Sequence, residues 1–169
     1  MINLENIELI IGNSGRNFSG GTSITIQLLD YQEKEMNLAI LGSRFIPEHF
    51  TTLNYLQFLL LTRTKLPSGK LRVFYTRKNN EMIQGLIAKY IFRSKIKIIF
   101  SSSAQRNHTK FTKWLMSKMD SVVSTSRKAG SYLDKEPDKI ISHGIDLNRF
   151  SLPEDKDKAW QALGFPGSI

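Results

Sequence analysis

The chain has 169 residues, 40% of them hydrophobic, with ten Phe, five Tyr and two Trp; this is enough apolar material for one packed domain and excludes a disordered chain. The absence of cysteine excludes a disulfide framework and a thiolate metal site, and three scattered histidines argue against zinc, so the sequence predicts a reducing compartment and no metal. A net charge of +9 and a pI near 9.8 point to an anionic partner, whether nucleic acid, an anionic lipid surface or a phosphorylated small molecule.

The start MINLENIELI lacks the basic segment of a secretory signal. The longest near-continuous apolar run, Leu53 to Leu61, is far short of the ~20 residues that span a bilayer, so the expected location is the cytoplasm. Ile7 to Ile11 reads as a first strand, and the following GNSGRNFSGG has four glycines in ten residues, which lets backbone come close to something bound. A helix is predicted from near Thr22. Gly20, Gly21 and Thr22 at this strand-to-helix turn suit an anion site, because first-turn N–H groups lack intrahelical partners and face the positive end of the dipole. A plain flexible turn explains the same residues equally well, and the spacing matches neither GxGxxG nor GxxxxGK[ST].

Leu38 to Leu41 is a second strand closed by Gly42, and Leu53 to Leu61 reads as a buried helix. After a turn at Pro67-Ser68-Gly69, Leu71 to Tyr75 is a third strand, ending in Thr76-Arg77-Lys78-Asn79-Asn80. Asn79 or Asn80 is placed to cap the next helix, with Glu81 in its first turn. Met82, Leu86 and Tyr90, joined by Ile83, Ile87 and Ile91, are expected to give that helix a broad core face.

The central stretch Lys97 to Ser126 reads as strand, loop, helix, strand. Ile98 to Phe100 is a short apolar strand and Ser121 to Ser124 another. At 100° per residue the helix between them places Ala104, His108, Phe111, Leu115 and Met119 on a core stripe, with Arg106, Lys110 and Lys113 opposite. On that reading His108 is a core histidine. Ser126 is the expected cap of a helix through about Leu133, and Lys139 to Ser142 is a last strand. The charged EDKDK at Glu154 to Lys158 looks like a linker. Six strands alternating with helices predict a doubly wound α/β domain with a parallel sheet, whose ligand crevice lies beyond the carboxyl ends of the strands. There the residues to watch are Arg77 and Lys78, Ser101 to Gln105, and Ser124 to Ser126.

Four strings then carry a resemblance: FSGGTS at Phe18 to Ser23, RKNNEM at Arg77 to Met82, SSSAQRNHTKFTKWLMSKMDSVVSTS at Ser101 to Ser126, and SHGIDLNRF at Ser142 to Phe150. With them the chain resembles the N-terminal half of a family 4 glycosyltransferase of the GT-B fold, and within that family it is similar to bacterial lipopolysaccharide core mannosyltransferases. The resemblance implies a Rossmann-like acceptor-side domain over residues 1–152, with 153–169 as a linker and the start of a truncated second domain. It implies mannosyl transfer from GDP-mannose to a lipopolysaccharide core acceptor, without a metal or cofactor, at the cytoplasmic face of a membrane.

By the same resemblance Gly20, Gly21 and Thr22 would lie near the donor phosphate and acceptor sugar. Arg77, Asn79, Ser102, Ser103 and Gln105 would line the acceptor side of the cleft, and His143, Gly144 and Asp146 would sit at the interdomain joint. Arg106, Lys110 and Lys113 would dock on anionic lipid or acceptor phosphates, with a solvated helix face as the plain alternative. The chain departs from the family in reading SSS where many members have a histidine, which leaves the catalytic residue unassigned. A half without its partner domain would be inactive alone, a catalytically dead remnant being the competing reading. A nucleic-acid-binding module is the weaker one, since no RNP-like, KH or zinc-finger pattern accompanies the charge.

Overall fold

The computed structural model describes residues 4–144 and 154–164. Its centre is a seven-stranded, wholly parallel sheet: β1 Leu9–Gly12, β2 Leu38–Leu41, β3 Thr52–Leu53, β4 Arg72–Thr76, β5 Ile96–Ser102, β6 Ser121–Ser124 and β7 Lys139–Ile140. The strand order is β3-β2-β1-β4-β5-β6-β7, so the direction of winding reverses between β1 and β4. The helices are α1 Gly20–Glu35, α2 Tyr55–Thr62, α3 Asn79–Leu86 continued by a π turn at Ile87–Ile91, α4 Lys110–Met116, α5 Arg127–Gly130 and α6 Lys156–Ala162. The expected doubly wound α/β class is the one observed.

Short apolar runs form the strands because both faces of a parallel sheet are covered: β2 is buried at all four positions. One face packs α2 and α3 through Ile10, Phe58, Leu59, Phe74, Ala88 and Ile98, and extends to α4 through Met82, Phe100, Leu115 and Met116. The Phe58 and Phe74 rings lie 4.9 Å apart across that junction. The other face packs α1, where Leu29 meets Ile11, Leu38 and Ile40.

Several expectations need correction. The run Leu53 to Leu61 is not one buried helix: Leu53 ends β3, a strand beyond the six expected, Asn54 caps α2, and Leu56 and Leu60 face solvent. The broad core face of α3 ends early, because the π turn, closed by Phe92 N–H to Ile87 C=O at 3.2 Å, rotates the register and leaves Tyr90 and Ile91 exposed. Neither Asn79 nor Asn80 caps α3; Lys78 occupies that position, and the Glu81 carboxylate accepts from its N–H. The helix after β5 begins only at Lys110, where Thr109 Oγ1 accepts from Thr112 N–H. Its buried set is therefore Thr112, Leu115 and Met116, and Phe111 points outward. Ser126 does cap α5, which is shorter than expected. Asp155 caps α6, so the charged run Glu154 to Lys158 opens a helix instead of forming a linker throughout.

Candidate functional site: a cleft at the carboxyl end of the sheet

Where the winding reverses, two successive loops cannot close over the strand ends, which is the geometry that leaves a crevice in a doubly wound fold. The structure has one there, a cleft of about 480 Å³ lined by Ser19, Gly20 and Gly21 at the start of α1, Arg77 and Lys78 after β4, Ser101 near the end of β5 and Ser103 just after it, Thr125 after β6, and His143. Ile11, Ile24, Leu28 and Tyr75 supply its apolar floor and wall.

Ser19 sets the start of α1, its hydroxyl accepting from Thr22 N–H at 3.3 Å. The open N-terminal turn of a sixteen-residue helix thereby faces the cleft with the positive end of its dipole. Arg77 crosses from β4 to the same turn. Its guanidinium donates to Gly21 C=O at 2.6 Å, to Gly12 C=O at 3.3 Å and to Thr25 Oγ1. It lines the cleft while holding the backbone that forms it.

Beneath this lies Glu81, fully buried. Oε1 accepts from Ser14 N–H at 3.2 Å and Ser14 Oγ–H at 3.0 Å, and Oε2 accepts from the N–H groups of Arg77 and Lys78 at 2.7 and 3.1 Å. Four donors on one carboxylate make its burial tolerable and tie the loop after β1 to the loop after β4. Gly12 makes room for it, since a Cβ there would stand 3.0 Å from the Glu81 side chain. Asn13 repeats the device toward β2, donating from Nδ2 to Gly42 C=O and Arg44 C=O at 3.3 and 2.9 Å. Gly42 has a φ of +104°, and a Cβ there would lie 2.6 Å from Asn13 O, so the approach requires glycine.

The remaining expected site residues divide. Ser103 and His143 line the cleft, and Gly144 passes beside Leu28 of α1. Thr22 is buried under the first turn of α1. Asn79 is turned away: its amide donates to Thr112 Oγ1 at 2.9 Å, joining α3 to α4. Ser102 is buried, with its hydroxyl 3.1 Å from His108 Nε2, and Gln105 is exposed in the loop that follows. Asp146 lies outside the described residues. His108 belongs to that loop and is half-buried, so it is not the helical core histidine expected; burial, then the positive charges of Arg106 and Lys113, hold its pKa below the usual histidine value against the pull of Asp134. Arg106 lies in the same loop, and Lys113 is paired with Asp134 at 2.5 Å, so the expected Arg106, Lys110, Lys113 stripe does not form one helical face.

Sequence reasoning passed over Asn13 and gave Glu81 only a place in the first turn of α3. Glu81 could be read only as a first-turn charge because its decisive partner, Ser14, is 67 residues away.

No family profile matches the chain. The lipopolysaccharide core biosynthesis mannosyltransferase LpcC of Rhizobium leguminosarum bv. viciae is 38% identical over 168 residues, which is 99% of this chain and 47% of LpcC. This chain is a homologue of lipopolysaccharide core mannosyltransferases. LpsB of Rhizobium meliloti (strain 1021), which bears the same description, is 36% identical over 97% of this chain and 46% of its own length. The chain therefore spans about half the length of the curated relatives it matches. Among solved structures, HepE of Anabaena in complex with UDP-glucose superposes with a TM-score of 0.63 at 14% identity, covering 92% of this chain and 49% of HepE. That likeness concerns the fold, the Rossmann-like half of a GT-B glycosyltransferase. Among the described residues no helix is long and apolar enough to cross a membrane, and no His, Asp and Glu cluster is placed to hold a metal ion.

Proposed function

We propose that this chain is the acceptor-side domain of a mannosyltransferase of lipopolysaccharide core synthesis, using GDP-mannose as donor and acting at the cytoplasmic face of a membrane. The observation that carries the reading is the identity to LpcC along 99% of the chain, together with the position of the resembling strings: FSGGTS, RKNNEM and the Ser-rich end of β5 all contribute to one cleft. Transfer from a sugar nucleotide leaves charge on the departing diphosphate, and the start of α1 with Arg77 and Lys78 would offset it. Gly20 and Gly21 would let phosphate or sugar oxygens reach the backbone N–H groups of that turn. Ser103, Thr125 and His143 would supply hydroxyl and imidazole groups to acceptor hydroxyls across the cleft. The nucleotide would be held chiefly by a second domain, supplied by further chain or by a partner, and the chain alone would be weakly active or inactive.

The test is transfer from labelled GDP-mannose to a lipopolysaccharide core acceptor by this chain, alone and mixed with the complementary half of LpcC. Transfer that appears on mixing supports the assignment. A folded, monodisperse chain that transfers nothing in either setting, and binds no core oligosaccharide, refutes it.

A further inference from the structure

The helical layer formed by α2, α3 and α4 has an outer surface unlike that of an ordinary solvated helix layer. Tyr55 Oη–H to Gln84 C=O at 3.0 Å joins α2 to α3, and Asn79 to Thr112 joins α3 to α4, so the three form one connected layer. On α4, Phe111 and Trp114 point outward, each 53% exposed, with ring centroids 6.0 Å apart and planes at 19°. Lys110 and Lys118, both exposed, flank the pair. Farther across the layer, Leu56 of α2 is 66% exposed and Ile91 of the π turn 70%. These rings are held out although the core beneath, Leu115 and Met116, is already filled.

We propose that this face lies against an anionic lipid bilayer, with Phe111 and Trp114 seated at the lipid–water interface and Lys110 and Lys118 on lipid phosphates. Three arguments select a bilayer. The Trp114 indole, apolar in body with a polar N–H, beside an apolar Phe111 ring and flanking lysines, matches the interfacial zone. Protein–protein interface cores are depleted in lysine and concentrated in one patch, whereas the exposed apolar groups here are spread over three helices. The net charge of +9 complements the negative surface potential of a cytoplasmic leaflet. This deepens the proposed function by naming its membrane surface, and it replaces a purely basic stripe with an aromatic anchor. The mode has a signature: attraction by lysines alone fades as salt screens it, whereas inserted aromatics retain part of the binding.

The test is binding to phosphatidylglycerol–phosphatidylcholine vesicles, using Trp160→Phe protein so that Trp114 is the one fluorophore. The expected result is co-sedimentation with the vesicles, a blue shift of Trp114, quenching by bromolipid, and binding that weakens with salt without vanishing. Phe111→Ser with Trp114→Ser should lower the affinity about tenfold or more, and Lys110→Glu with Lys118→Glu should lower it about fivefold per site at low salt. Both positions are exposed, so circular dichroism should not change. Unquenched Trp114, or equal partitioning by the aromatic double variant, overturns the proposal. So does quenching of Trp114 by duplex DNA but not by vesicles, which would make the face a nucleic-acid site. Vesicle binding needs no sugar transfer, so this surface and the proposed chemistry fail or stand separately.

Discussion

The two ends of the sheet treat the same side chain differently. Arg72 opens β4 at the amino end, fully buried, donating to Thr64 C=O at 2.5 Å and Glu5 C=O at 2.8 Å; burial lowers its pKa, with the nearby Glu5 charge opposing. Arg77 follows β4 at the carboxyl end and also donates to backbone carbonyls, yet it borders an open cleft. At the amino end Asp120 likewise ties the turn before β6 to β5 and to the π turn, receiving Lys89, Lys97 and Ile98 N–H. At the carboxyl end equally dense bonding by Glu81, Asn13 and Arg77 joins the loops after β1, β2 and β4 into one fixed border of an open cleft. The lesson is that buried polar groups serve stability at one end and preorganisation at the other, and their distance from the cleft tells which.

The largest effect should come from Glu81→Ala, which strands four partly buried donors. We expect a loss of about 3–5 kcal/mol in urea unfolding; a loss below about 1 kcal/mol would remove Glu81 from the centre of the account. Next, Arg72→Ala should lower stability by about 2–3 kcal/mol and leave the affinity of the folded protein for core oligosaccharide unchanged. Arg77→Lys keeps the charge but loses the fork; it should cost about 1 kcal/mol of stability and at least tenfold in oligosaccharide affinity or transfer. If the two arginine variants affect stability and binding in the same proportion, the contrast between the ends is broken.

The smallest effect is on acid stability. Burial raises the Asp120 pKa, but the bonds from Lys89, Ile98 N–H and Lys97 together outweigh it and hold the carboxyl below its ordinary value. A depressed carboxylate contributes stability above its unfolded pKa and loses it as pH falls through the folded one. Asp120→Asn should therefore flatten the fall in melting temperature below about pH 4 and change little of the pH dependence at neutrality. A profile as steep as that of wild type would deny Asp120 this part.

The strands were legible in the sequence because a parallel sheet leaves short, continuous apolar runs: β2 is Leu38 to Leu41 as expected, and Ser126 caps as its hydroxyl suggested. The α4 face was misread because Ala104 and His108 were counted as helical. With the helix starting at Lys110, residues 112, 115 and 116 form the buried i, i+3, i+4 stripe, and Phe111 and Trp114 turn outward. The π turn was illegible, since no residue between Ile87 and Ile91 announces an extra residue in the turn. Of the cleft, its place and the Arg77, Lys78, Ser101, Ser103 and Thr125 part of its lining followed from the rule for parallel sheets. Its supports did not, because Glu81 reaches Ser14 and Arg77 reaches Gly21 across spans of 67 and 56 residues that only the fold closes.

The most direct measurement is a titration of the isotope-labelled chain with core oligosaccharide, followed by backbone amide shifts. The account predicts perturbations concentrated at Gly20, Gly21, Arg77, Ser103, Thr125 and His143 around the carboxyl-end cleft. Shifts gathered instead at the second cavity, the one of about 310 Å³ between Met116, Val122 and Leu133, or no shifts at all, would contradict it.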